Sequence, residues 1–134
     1  MDNHQVKAAI ACLEGEGKEK MTFSEISKIL LGAGFSGYTI DIVRARIIYT
    51  LNTGEIIERP IRITDTYAIS TFDVAALKKS ISKIQHPNQN YNYAKLCADL
   101  LISGCANCVV SFSGRQIRCV SRFSDVYIGN FTQY

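Results

Sequence analysis

The sequence predicts an α+β domain in which a helix followed by three antiparallel strands occurs twice, over about 21–60 and 91–131, with an N-terminal helix over 4–14 and a linking segment and helix over 61–86. Three observations support this architecture. Apolar residues recur first at helical spacing and then at every second position, in both halves of the chain. Glycines and turn residues fall where one period gives way to the other. Sliding the chain by seventy positions, with no gap, superimposes the two patterns.

The elements follow in order. Val6, Ala9, Ile10 and Leu13 stand at i, i+3, i+4 and i+7, the stripe of an amphipathic helix that the Gly15 and Gly17 region ends. Thr22-Phe23-Ser24-Glu25 has the spacing of a capping box, in which the Thr22 and Glu25 side chains each accept from the other's backbone N–H, and Met21 and Ile26 are placed for a hydrophobic staple. A second helix therefore starts near Thr22. Its buried stripe is Ile26, Ile29, Leu30 and Ala33, and Gly32 and Gly34 supply the left-handed conformation at which helices stop.

Period 2 then takes over. Tyr38, Ile40 and Ile42 alternate with Thr39, Asp41 and Val43, and after Arg44-Ala45 the residues Ile47, Tyr49 and Leu51 alternate with Arg46, Ile48 and Thr50. Asn52-Thr53-Gly54 is turn chemistry, and the chain returns as a third strand over 55–59, closed by Pro60, which cannot donate to a ladder and belongs at an edge. Beyond it come a short strand around 67–69 and a helix capped by Ser70 or Thr71, with Val74, Leu77, Ile81 and Ile84 on one face and a stop at His86-Pro87.

From Tyr91 the first pattern returns: Phe23 falls over Tyr93, Ile26 over Leu96, Leu30-Leu31 over Leu100-Leu101, Gly34 over Gly104, Ile40 over Val110 and Ile47 over Ile117. Only four of the thirty-six positions from 23 to 58 are identical, so the match lies in physical character. We read it as a duplication because the register holds through helix, glycine, strand and turn together. Periodicity does not choose between one continuous sheet and two facing sheets.

An aromatic and a Glu opening a helix (Phe23, Glu25), then Ala33-Gly34, then Tyr38-x-Ile40-Asp41-Ile42, Ile47-Ile48-Tyr49 and Gly54-Glu55, resemble the YdfO-like family, small bacterial proteins often carried on prophages and of unknown function. The resemblance implies a similar second half over 93–131 and so extends over nearly the whole chain. It implies a fold and a prophage-type accessory role, and brings no catalytic residue, because fold does not determine function.

Composition fits one globular domain spanning 1–134: 47% of residues are hydrophobic, 20% are charged, and there are thirteen Phe plus Tyr and no Trp. A formal charge of +3 is too small to imply a polyanionic partner. No apolar run approaches the roughly 18 residues that span a bilayer, and acids stand where a signal peptide has its apolar core, so the expected site of action is the cytoplasm, away from membranes. Five cysteines, an odd number placed inside apolar segments, agree with a reducing compartment.

Cys105-Ala106-Asn107-Cys108 invites a redox or metal reading. A thioredoxin-type pair, however, needs its first thiol at a helix N-terminus, and this pair follows a helix C-terminus and enters a strand. In the seventy-residue register Cys105 and Cys108 overlie Phe35 and Tyr38, and Cys119 overlies Tyr49, so we expect core-facing thiols. Convergence of Cys97, Cys105, Cys108 and Cys119 on zinc stays open as a minor alternative. His4 and His86 lie in polar or terminal contexts. No GxSxG, phosphate-cradling glycine loop, dinucleotide fingerprint or HExxH is present, so the residues give no positive sign of an enzyme, and no cofactor or metal is expected.

Two candidate binding surfaces emerge. Asp41, with Arg44, Arg46 and Arg59, would line a groove for a small polar ligand or a charged segment. Arg115 and Arg118, with Arg62, Arg122, Tyr67, Phe123 and Tyr127 near in sequence, would hold single-stranded nucleic acid by phosphate contacts and stacking. The leading expectation is a non-catalytic module that binds another protein or itself, as a homodimer through an exposed strand edge. Nucleic-acid binding is the first alternative, and a small-molecule-binding protein or enzyme is the second.

Overall fold

The computed structural model describes Lys7 and residues 23–60, 72–84 and 93–131. The expected helix over 4–14, apart from Lys7, lies outside the described residues, as do Thr22, the strand around 67–69, Ser70, Thr71 and His86. Within them stand three helices, α1 (Phe23–Gly32), α2 (Val74–Ile84) and α3 (Tyr93–Ile102). The strands are β1 (Phe35–Asp41), β2 (Arg46–Leu51), β3 (Ile56–Pro60), β4 (Cys105–Ser111), β5 (Gln116–Ser121) and β6 (Val126–Asn130). They form one antiparallel sheet in the order β3-β2-β1-β4-β5-β6. The α+β class is thus as expected, and of the two arrangements left open by periodicity the chain adopts the continuous sheet. No helix among the described residues is long and apolar enough to cross a membrane.

α3, β4, β5 and β6 begin and end 70 positions after α1, β1, β2 and β3. The strand registers shift by the same amount: Tyr38 faces Tyr49 where Cys108 faces Cys119, and the irregularity between Phe35 and Gly37 has its match between Cys105 and Asn107. Left-handed backbone recurs likewise, at Gly34 (φ 95) and Gly104 (φ 83) behind the helices and at Ala45 (φ 55) and Arg115 (φ 52) in the turns.

All three helices lie on one side of the sheet. α1 packs on β1, α3 on β4, and α2 on both β6 and α3. The core between the layers is built from the residues that period analysis assigns to it, with Ile26, Leu30, Tyr38, Ile40, Ile47 and Tyr49 at 2% exposure or less. Aromatic rings fill the first half: Tyr38 sits 6.0 Å from Phe112 and 6.3 Å from Tyr49, and Phe35 meets Tyr49 edge-on at 5.9 Å. Phe23, which opens α1, packs edge-on against Phe131 beyond β6 at 5.2 Å, tying the first helix to the far edge of the sheet.

The cap of α2 differs from expectation. Asp73 accepts from the Ala76 N–H at 3.0 Å and stands directly before the first helical residue, so the carboxylate both caps the helix and complements its dipole, two or three positions later than Ser70 or Thr71. Ile81 of α2 then reaches the sheet over Gly129, where an added Cβ would lie 2.7 Å from its Cδ1.

Candidate functional site

The thiols lie in the core. Cys105, Cys108 and Cys119 are at most 1% exposed, and Cys108 and Cys119 are directly opposed on β4 and β5. The Cys105 Sγ–H donates to the carbonyl of Asn107 at 3.1 Å. A hydrogen bond with Cys119, together with burial, pushes the Cys105 thiol well above its usual range. At Cys119 the bond with Cys105 acts downward, but a bond with Cys108 and burial outweigh it, and this thiol is also raised. Neutral buried thiols are poor nucleophiles and poor metal ligands. Cys97, on α3, is half-buried and packs against the same core. Among the described residues no three His, Cys, Asp or Glu side chains are arranged to hold a metal ion. Tyr38 shares this interior; burial first, then Cys108, Cys97 and Tyr49, raises its phenol.

The expected Asp41 groove does not form as a unit. Asp41 accepts from the Arg44 N–H at 3.1 Å and pairs loosely with its guanidinium at 3.8 Å, and Arg46 stands opposite it on β2. Arg59 faces Ile47, a core residue, across the β2–β3 pair, and so projects to the helix side of the sheet, away from Asp41 and Arg46. The alternation within β3 puts Glu58, not Arg59, on the Asp41 side.

Of the other residues in the expected nucleic-acid surface, Arg62 and Tyr67 lie outside the described residues, and Arg115 and Arg118 are dispersed. Arg115 occupies the β4–β5 turn, at the opposite end of the sheet from Arg44 in the β1–β2 turn, because β1 and β4 are antiparallel. Arg118 stands in mid-sheet between Val109 and Ile128. Tyr127 is half-buried against the core, and Phe123, 87% exposed, sits in the β5–β6 turn, so no aromatic side chain of these segments shares the face of Arg118.

What the strands do bring together is a face of mixed character, with its apolar side chains gathered mainly on β4, β5 and β6. The sheet face opposite the helices has no second layer among the described residues. Straight across it, one strand to the next, run Glu58, Ile48, Thr39, Val109, Arg118 and Ile128. The neighbouring row is Pro60, Arg46, Asp41, Asn107, Val120 and Val126. Ile56, Val126, Ile128 and Val109 on this face are 57%, 45%, 49% and 37% exposed. An antiparallel sheet that faces water on one side ordinarily carries polar residues there. The sequence signal for this surface was apolar residues in both phases of a strand, as in Ile47-Ile48 and Val109-Val110. Among known proteins, no family model and no curated protein matches this chain.

Proposed function

We propose that the chain is a non-catalytic protein-binding module whose contact surface is the face of its six-stranded sheet that none of the described helices covers. The observation that supports this most is the group of β-branched side chains on β4, β5 and β6 of that face, Val109, Val120, Val126 and Ile128, of which Val109, Val126 and Ile128 are 37%, 45% and 49% exposed. Exposed apolar side chains gathered in one region mark association sites in soluble proteins, and a sheet face packs on another layer about 10 Å away. Strand addition at an edge is the weaker route, since β3 and β6 are five residues each and β3 ends in Pro60. A photo-activatable amino acid placed at Val109, compared with one at Lys78 on the exposed side of α2, tests the reading in cells. An adduct of defined mass from position 109 and none from 78 is the expected result. No adduct from 109, or equal labelling from both positions, would refute it.

The module is, on this reading, a duplicated unit: the common offset of 70 in element bounds, strand registers and left-handed turn residues supports copying of one helix-plus-three-strand segment. A cytoplasmic, prophage-type accessory role is part of the same proposal and rests on the YdfO-like resemblance of the sequence alone. The free state of Cys97, Cys105, Cys108 and Cys119 supports a reducing compartment.

A further inference from the structure

We infer that the outer edge of β6 is a strand-addition site, which takes an extended segment of a partner protein, antiparallel and apolar at every second position, on the backbone groups and side chains of Val126 and Ile128. The inference rests on the reading of the chain as a protein-binding module. It adds the place at which the partner's backbone pairs and the form in which it arrives.

Hydrogen-bond phase decides which backbone groups point outward. The N–H of Ser121 donates to the carbonyl of Asp125, and that of Phe131 to the carbonyl of Arg115, both at 2.9 Å. In the antiparallel β5–β6 pair, residues 125, 127, 129 and 131 therefore turn their N–H and C=O groups toward β5, and Val126 and Ile128 turn theirs away. In β3 the phase is set by the N–H of Leu51 on the carbonyl of Glu55 at 2.8 Å, which leaves Ile56, Glu58 and Pro60 facing out. Among the described residues no strand lies beyond either edge.

The two edges are protected unequally. β3 carries a carboxylate at Glu58, a guanidinium at Arg59 and, at Pro60, no outward N–H; charge and proline of this kind keep an edge from pairing. Seventy positions on, β6 has Ile128, Gly129 and Asn130 in their place, and Val126–Asn130 holds no charge, no proline and no break in register. Strand addition, the weaker route for the sheet as a whole, is thus blocked at one edge and open at the other. Side chains of an added strand that share the open face would lie about 5 Å from Val126 and Ile128, as cross-strand neighbours do. A charge there would lose water against two exposed β-branched residues, so the segment is apolar in that phase.

A second copy fits this edge less well. Antiparallel pairing of β6 with β6 sets both α2 helices, which pack on β6, on the same side of the joined sheet. Each carries Lys78, Lys79 and Lys83 and no acid between Val74 and Ile84, so like charges are brought together.

The test is amide hydrogen exchange of the full chain, read residue by residue by NMR, with a lysine-capped heptapeptide alternating Val and Thr as the probe. At ten times its dissociation constant the peptide should slow exchange at Ile128 about tenfold, with Glu58 on β3 unchanged. In an antiparallel pair the residues that bond across also share a face. Methylating the Val amides of the peptide should therefore abolish the protection, and methylating the Thr amides should leave it. No protection at Ile128, equal protection at Glu58, or indifference to which amides are methylated would each overturn the inference. Protection at Ile128 that rises with protein concentration in the absence of peptide gives the edge to a second copy and overturns it as well. If the edge fails while position 109 still yields its adduct, the contact-face reading stands; if the peptide protects Ile128 and position 109 yields no adduct, that reading fails and the edge remains.

Discussion

Replacing Gly37 by alanine is expected to destabilise the protein by about 3 kcal/mol or more, or to prevent folding at 37 °C. Gly37 lies in β1 at the irregularity between Phe35 and Gly37, on the strand that pairs with β4 at the middle of the sheet. A Cβ there would run into the carbonyl oxygen of Val110 and would lie 3.2 Å from its carbon. These are backbone atoms, so relief requires β1 and β4 to part, and the Tyr38–Val110 and Ile40–Cys108 pairings with them. The control is Gly32→Ala, at the end of α1. An added Cβ there meets nothing within 4 Å, and the better helix former should be neutral or stabilising by up to about 1 kcal/mol. Urea midpoints for the two variants give the comparison. A Gly37→Ala protein within about 0.5 kcal/mol of wild type, the span of ordinary surface changes, would mean that the centre of the sheet is not packed as described.

Raising the pH should unfold the protein from within. Tyr38, Cys105 and Cys119 all have proton affinities raised by the fold, with burial as the common cause and the thiol hydrogen bonds added. The folded state therefore keeps protons that the unfolded chain gives up. The associated stability is fully present below about pH 8.5, where unfolded thiols are neutral. It declines above that pH as the unfolded thiols ionise, and more steeply above about pH 10 as the unfolded phenol joins them. Each group contributes a slope of about 1.4 kcal/mol per pH unit while only the unfolded form is ionised. Urea unfolding under reductant, from pH 8 to 10.5, should show the free energy falling with this accelerating slope. Tyr38→Phe should flatten the part above pH 10. A stability unchanged across the interval would mean that these groups are not held in a dry interior.

Much of the fold was legible because the two periods that generate it are local. The helix expected near Thr22 runs over Phe23–Gly32, and β2 has the expected bounds, Arg46–Leu51. The first strand was displaced, expected from Tyr38 to Val43 and found over Phe35–Asp41. Ile42 continues the apolar alternation and is buried, but its N–H bonds to the carbonyl of Ala106 from within a turn completed by Ala45 in the left-handed conformation. Alternation reports burial, and a buried turn residue imitates a strand. The inward thiols were also legible, from their overlay on Phe35, Tyr38 and Tyr49.

The charged groove was misjudged for a different reason. Asp41, Arg46 and Arg59 lie in different strands, and the side on which Arg59 emerges depends on the β2–β3 register, which opposes it to Ile47. A one-residue change in that register would have brought it round to Asp41. Sequence spacing within one strand carries no information about that pairing. Nor does it say which face a helix layer will cover. The three described helices all lie on the side of Tyr38 and Ile40, and Ile48, Val109 and Ile128 stand on the face that none of them covers.

Hydroxyl-radical footprinting of the purified protein, alone and in host lysate, tests most directly whether that surface is a contact face. Val109 and Ile128 are the reporters, and Ile102 and Phe123, 70% and 87% exposed and away from the face, are the internal controls. Oxidation of Val109 and Ile128 should drop several-fold in the lysate relative to Ile102 and Phe123. Unchanged relative reactivity of Val109 and Ile128 would show the face open to water in both settings and contradict the contact surface proposed above.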